Sequence, residues 1–188
     1  MWPFQNLKEL GNSTMISGQA LTPRDFISRR DEINKKLKAN RQLELRTTLY
    51  AYSEESFIIC ATTGISEAGK PSVLPFNVSN ENIGHTIKEL LMQTYLHPAP
   101  PHTEKNLSDW PAYIASGAKS GRLFEEKSVY VSIQTINTAL RIEATRRKPH
   151  SEVDIVISHS LNIDNEQLGA TVRKLVSIVK FLDSHNVI

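Results

Sequence analysis

The chain has 188 residues, 39% apolar and 22% charged, with a formal net charge of +2 at pH 7, a length that suits one domain burying roughly 70% of its unfolded surface. No apolar run approaches the roughly 20 residues of a membrane span, and a single cysteine, Cys60, excludes an internal disulfide and suits a reducing compartment. The charge shows neither the basic excess of a dedicated nucleic-acid binder nor the acidity common in proteins that neutralise basic enzymes, and it leaves both classes open.

The chain starts MWPFQNLKEL, without a basic patch followed by an apolar stretch, so no signal peptide is expected and the cytoplasm is the expected compartment. TPRDFISRRDEINKKLKANR (Thr22–Arg41) reads as a peripheral helix. Thr22 would cap it, Pro23 fits its first position and Asp25 its first turn, while Phe26, Ile33 and Leu37 give a thin apolar stripe.

TTLYAY (Thr47–Tyr52), the turn SEES and FIICATT (Phe57–Thr63) predict a hairpin, and PSVLPFNV (Pro71–Val78) a third extended piece. Pro75 cannot donate to a ladder, which places it on an edge strand or at a bulge. NVSNENIGHTIKELL (Asn77–Leu91) then opens a helix. A proline-rich connection, HPAPPHTEKN (His97–Asn106), leads to WPAYIASGAKSGRLFEEK (Trp110–Lys127), where a short helix broken near Gly117 and Gly121 is expected. After it, SVYVSIQ (Ser128–Gln134) and TALRIEAT (Thr138–Thr145) alternate apolar and polar residues around a turn at Ile136-Asn137. VDIVISH (Val153–His159) is a third strand, and NIDNEQLGATVRKLV (Asn162–Val176) a second capped helix.

The two helix-opening stretches are nearly the same. Asn77/Asn162, Asn80/Asn165, Glu81/Glu166, Gly84/Gly169, Thr86/Thr171 and Leu90/Leu175 are identical pairs, and Val78/Ile163, Ile87/Val172 and Lys88/Arg173 are conservative. Ser79 and Asp164 can accept hydrogen bonds from the first free backbone N–H groups, and Glu81 and Glu166 sit where the helix dipole favours negative charge. Each glycine lies beside an apolar face and costs about 1 kcal/mol against alanine. A close approach to a sheet or another backbone is the preferred reason, and a ligand pressing there the alternative. The unit strand–strand–strand–helix is therefore written twice. The expected fold is α+β: one mainly antiparallel central sheet with helices packed on it. As a single domain, 1–188, it divides into an N-terminal helical segment (1–45), a first unit (46–95), a connecting segment (96–127) and a second unit (128–188).

Chemistry is harder to find. The six histidines form no metal signature, Cys60 in FIICA reads as a small buried hydrophobe, and Ser158-His159-Ser160 lacks a nucleophile elbow. SGAKSG (Ser116–Gly121) has a lysine–serine step without the spacing of a phosphate loop. No catalytic residue, metal or cofactor is expected. RIEATRRKPH (Arg141–His150), with Arg141, Arg146, Arg147 and Lys148, could join Lys119 and Arg122 in a basic patch, or simply be a solvated strand end. Trp110, Tyr113 and Phe124 could be core residues or interface anchors.

WPAYIASGAKSGRLFEEKSVYVSI together with DNEQLGATVRKLV resembles immunity proteins of bacterial contact-dependent growth inhibition systems. The matching features are Trp110, Lys119-Ser120, Phe124 leading into Val129–Gln134, and Leu168-Gly169; the likeness covers roughly residues 45–188. The resemblance implies a cytoplasmic antitoxin rather than an enzyme, whose partner is the C-terminal toxin domain of a cognate delivered effector, commonly a nuclease. Neither membrane nor nucleic acid is an expected partner. Trp110, Tyr113, Lys119, Arg122, Arg146 and Arg147 are the candidate partner-binding residues, and Gly84, Gly169, Ser120 and Phe124 the candidate fold-defining ones. The alternative is a nucleic-acid- or small-ligand-binding module using residues 141–148. An unrecognised enzyme in a cleft near Trp110 to Arg122 is the third possibility.

Overall fold

A computed structural model describes residues 28, 31, 44–63, 66–94, 109–146 and 154–185. Of the helix expected over Thr22–Arg41, Ser28 and Asp31 are described, both helical and exposed, and the remainder lies outside the described residues.

The alternating segments form six strands: β1 (Arg46–Tyr52), β2 (Ser56–Thr63), β3 (Ser66–Pro75), β4 (Ser128–Ile136), β5 (Ala139–Thr145) and β6 (Ile155–Ser160). They make one sheet in the order β3-β2-β1-β4-β5-β6, every neighbouring pair antiparallel. The fold is thus α+β, and the two units join through their first strands, β1 beside β4. The hairpin turns are tight. Ser53 and Glu54, with φ of 50° and 58°, turn β1 into β2, and Asn137, with φ of 52°, turns β4 into β5. Such left-handed residues match the strand twist in short hairpins. Pro75 ends β3, an edge strand, where a missing N–H costs no ladder bond. β3 starts at Ser66, five residues before the expected Pro71, because pairing with β2 continues beyond a bulge that holds Gly69 (φ 73°) and Pro71.

Four helices after β1 are described and follow from the caps: α1 (Asn80–Met92), α2 (Pro111–Ser116), α3 (Gly121–Lys127) and α4 (Asn165–Ser184). Ser79 accepts the Asn82 N–H at the start of α1, and Asp164 accepts the Gln167 N–H at the start of α4. Gly117, at φ 64°, ends α2 in the left-handed conformation that an L residue with a Cβ disfavours. Ser120 caps α3.

α1 and α4 lie together on one face of the sheet. Their apolar stripes, Ile83, Ile87, Leu90 and Leu91 with Leu168, Val172, Leu175, Val176 and Val179, bury against Leu49, Ala51, Phe57, Ile59, Val129, Val131, Ile133, Leu140 and Ile142. The paired glycines explain how closely they meet. A Cβ on Gly84 would stand 2.0 Å from the Asn165 carbonyl oxygen, and one on Gly169 would stand 2.0 Å from that of Asn80. Each glycine meets the residue that begins the other helix, so the repeat is a reciprocal contact. The polar residues repeat the reciprocity. Asn80 donates to Glu166 at 2.9 Å and Asn165 to Glu81 at 2.8 Å. The two carboxylates sit where the positive ends of both helices converge. Lys88 donates to the Ile163 carbonyl at 2.6 Å, and its counterpart Arg173 donates to the carbonyls of Phe76 and Val78 and to the Asn80 side chain. Burial pushes the Lys88 ammonium down, against the pull of Asp164 and Glu81.

Candidate functional site

The opposite face of the sheet is where the two halves differ. Over β1 and β2 it is covered by α2 and α3, which close a second core of Tyr50, Tyr52, Ile58, Cys60, Ala112 and Phe124. Phe124 is the centre of that cap, with ring centroids 5.0 Å from Tyr50, 5.8 Å from Tyr52 and 5.8 Å edge-on from Tyr113. Over β5, β6 and the distal part of β4, none of the described helices covers the face. Ser132, Gln134, Arg141 and Glu143 are half-buried there, and Val156 and Ser158 are exposed. The described part of the connecting segment, residues 109–127, lies over the first unit.

Glu67 fastens the cap. Its Oε2 accepts the Ala112 N–H at 2.9 Å and its Oε1 the Thr48 hydroxyl at a long 3.5 Å. Burial pushes the Glu67 carboxyl up, and hydrogen bonds from Tyr50, the Ala112 backbone, Cys60 and Thr48 oppose the rise. Cys60 is fully buried beside it; burial first, and the Glu67 charge second, push the thiol far above its ordinary range. A thiol held in that state is no nucleophile. Glu67 escaped the sequence reading because SEAGK carries the serine and glycine of a loop; the one legible signal was a carboxylate next to a β-hairpin of apolar strands.

The residues singled out from sequence do not come together in one site. Trp110, Tyr113, Lys119 and Arg122 all belong to the cap: Trp110 precedes α2, Tyr113 packs on Phe124, and Lys119 and Arg122 are exposed. Arg122 pairs with Glu126 one turn on, at 2.7 Å, and that carboxylate raises the guanidinium pKa. Arg146 is elsewhere. It pairs with Asp183 near the end of α4 and donates to the Glu126 carbonyl, tying β5, α3 and α4 together. Arg141 lies on the uncovered face and pairs with Glu143 at 2.7 Å, so Arg141 and Arg146 do not build one patch. Arg147 and Lys148 lie outside the described residues. Gly84 and Gly169 make the helix crossing, and Ser120 and Phe124 the cap.

Among the described residues, no group of three His, Cys, Asp or Glu side chains is placed to hold a metal ion. His85 pairs with Glu89 at 3.2 Å, His159 meets the Thr171 hydroxyl at 3.2 Å, and His185 meets the Phe181 carbonyl. Ser158 and His159 point to opposite faces of β6. No helix among the described residues is long and apolar enough to cross a membrane.

The architecture defines a class of α+β proteins built from two β-β-β-α units on one antiparallel sheet, and solved structures share it. A protein of unknown function from Neisseria meningitidis superposes with a TM-score of 0.59 at 24% identity, over 74% of this chain and 97% of that one. A chain of the CdiA-CT/CdiI toxin and immunity complex from Yersinia pseudotuberculosis superposes with a TM-score of 0.52 at 14% identity, over 72% of this chain and 97% of that one. At these identities the likeness is one of fold. No family model matches the sequence, and no curated protein matches it.

Proposed function

We propose that this chain is an immunity protein: a stoichiometric antitoxin that binds the C-terminal toxin domain of a cognate contact-dependent growth inhibition effector. The observation that carries the reading is the likeness of fold to a chain of a toxin and immunity complex, which extends over 97% of that chain. The sequence resemblance around Trp110–Ile133 and Leu168-Gly169 points the same way. Cys60 and Glu67 fit this reading, because both lie in the packing between the sheet and the cap. The toxin's activity is that of a nuclease in this reading, and inhibition follows from covering its active site or its substrate path.

A nucleic-acid- or small-ligand module on residues 141–148 has less support, since Arg141 and Arg146 turn to different parts of the fold. The test is protection in cells. The toxin domain encoded beside this gene is induced with and without this chain. Growth restored by this chain, and not by a non-cognate immunity protein, supports the reading. Equal killing in both strains sinks it.

A further inference from the structure

The register of the sheet assembles one cross-strand row that reaches every strand. Glu67 lies opposite Thr62, Thr62 opposite Arg46, Arg46 opposite Gln134, Gln134 opposite Arg141, and Arg141 opposite Ser158. Directly opposed residues share a face, so this row lies on the face that α2 and α3 cover over the first unit. At its Glu67 end the row is sealed beneath Ala112. From Arg46 outward, no described helix lies on it.

The open part of the row carries donors without matching acceptors. Arg46 gives its Nε, at 3.1 Å, and one terminal nitrogen to the same oxygen of Gln134, and among the described residues its other terminal nitrogen has no acceptor. Arg141 gives one terminal nitrogen to Glu143, while its Nε is shielded from solvent with no hydrogen-bond partner. A shielded N–H without an acceptor is destabilising, so this guanidinium rests in an incompletely satisfied position. Two arginines two strands apart stand about 10 Å from each other across the sheet, with Gln134 between them, and one carboxylate, Glu143, lies beside Arg141 on β5 in the neighbouring row of Ser132 and Val156. The group complementary to such a row is a carboxylate, which accepts a guanidinium's two parallel N–H bonds.

We infer that the Arg46–Gln134–Arg141 row is the docking site for an acidic segment of the cognate toxin domain, whose carboxylates take over Arg141 from Glu143 and occupy the open donors of Arg46. The inference rests on the antitoxin reading and deepens it by naming the surface and the chemistry of the partner. Glu143 acts in it as an internal stand-in for the partner's carboxylate. The consequence is a sign that a structural role would not produce: removing Glu143's charge tightens binding, while removing the arginines weakens it.

The experiment is a calorimetric titration of the full chain with the purified toxin domain encoded beside it, for the wild type, R46A/R141A, R46K/R141K and E143Q. Thermal melts check that each variant is folded. R46A/R141A is expected to weaken binding by roughly thirty-fold or more, as truncation of interfacial charges does. The lysine pair should recover part of that loss, because it restores charge without the planar fork. E143Q should bind about threefold more tightly, with a steeper salt dependence, because Arg141 no longer has a competing carboxylate. Wild-type-like affinity in folded R46A/R141A overturns the docking site and leaves the antitoxin reading standing. Weakened binding in E143Q overturns the hand-over of Arg141. No wild-type binding to the toxin overturns both, as does salt-sensitive binding of RNA or DNA in its place, lost in R46A/R141A.

Discussion

Replacing Gly84 with alanine is a sensitive test of the two-unit architecture, because propensity and packing predict opposite signs. Alanine in the middle of a helix gains about 1 kcal/mol over glycine. Here the added Cβ would lie 2.0 Å from the Asn165 carbonyl oxygen, against roughly 3.4 Å for ordinary contact, so α1 and α4 would have to part by about 1.4 Å (3.4 minus 2.0). The obstacle is backbone, which cannot swing aside as a side chain can. A radial gap of about 0.5–1 Å already forfeits a quarter to a half of a dispersion well, and overpacking a tight contact costs about 1–3 kcal/mol, occasionally more. Because the obstacle is backbone, the gross cost should exceed that range at about 4 kcal/mol, so with the propensity gain we expect G84A to cost about 3 kcal/mol net, and G169A the same, since it meets Asn80 at the same 2.0 Å. The double variant should cost at least about 1 kcal/mol less than the sum, because one separation of the helices relieves both clashes. Urea unfolding reads this as a lowered midpoint at unchanged m, and melting as a loss of about 6–12 °C for each single variant. If either alanine stabilises the protein by its propensity, or the two costs simply add, the reciprocal crossing is wrong.

Two further outcomes follow from the cap. Glu67 has a folded pKa raised above its ordinary 4.5, so its contribution to stability is fully present below about 4.5 and is lost as pH rises through the folded value. The Tm of E67Q minus that of the wild type should therefore rise from pH 4 to pH 8, whereas a flat difference would mean that the carboxylate is not buried. F124A should cost about 3–5 kcal/mol and expose the Gly117–Ser120 link to limited proteolysis while α1 and α4 stay resistant. Cleavage confined to other loops would show that Phe124 does not hold the cap.

Much of the fold was legible because it is local. Periodicity marked the strands, Ser79 and Asp164 marked the helix starts, and Gly117 and Gly121 marked the break in the connecting segment. The glycine pair signalled a close approach, but the identity of the neighbour was not local: Gly84 meets Asn165, which no spacing within either helix could reveal. The same holds for the surface. Arg141 drew notice as part of a basic run, yet Arg146 of that run reaches α4, while the neighbours of Arg141 in space are Gln134 and, one strand further, Arg46. Register created the row, and register is a property of the assembled sheet. Glu67 was hidden for a related reason, since a bulge carries β3 through a stretch whose serine, glycine and proline read as loop.

The most direct test of the antitoxin proposal is calorimetric titration of this chain with any toxin domain encoded next to its gene. One-to-one binding with a dissociation constant at or below the nanomolar range, about −12 kcal/mol, is the expected result. No heat and no complex at micromolar concentrations of both proteins would contradict it.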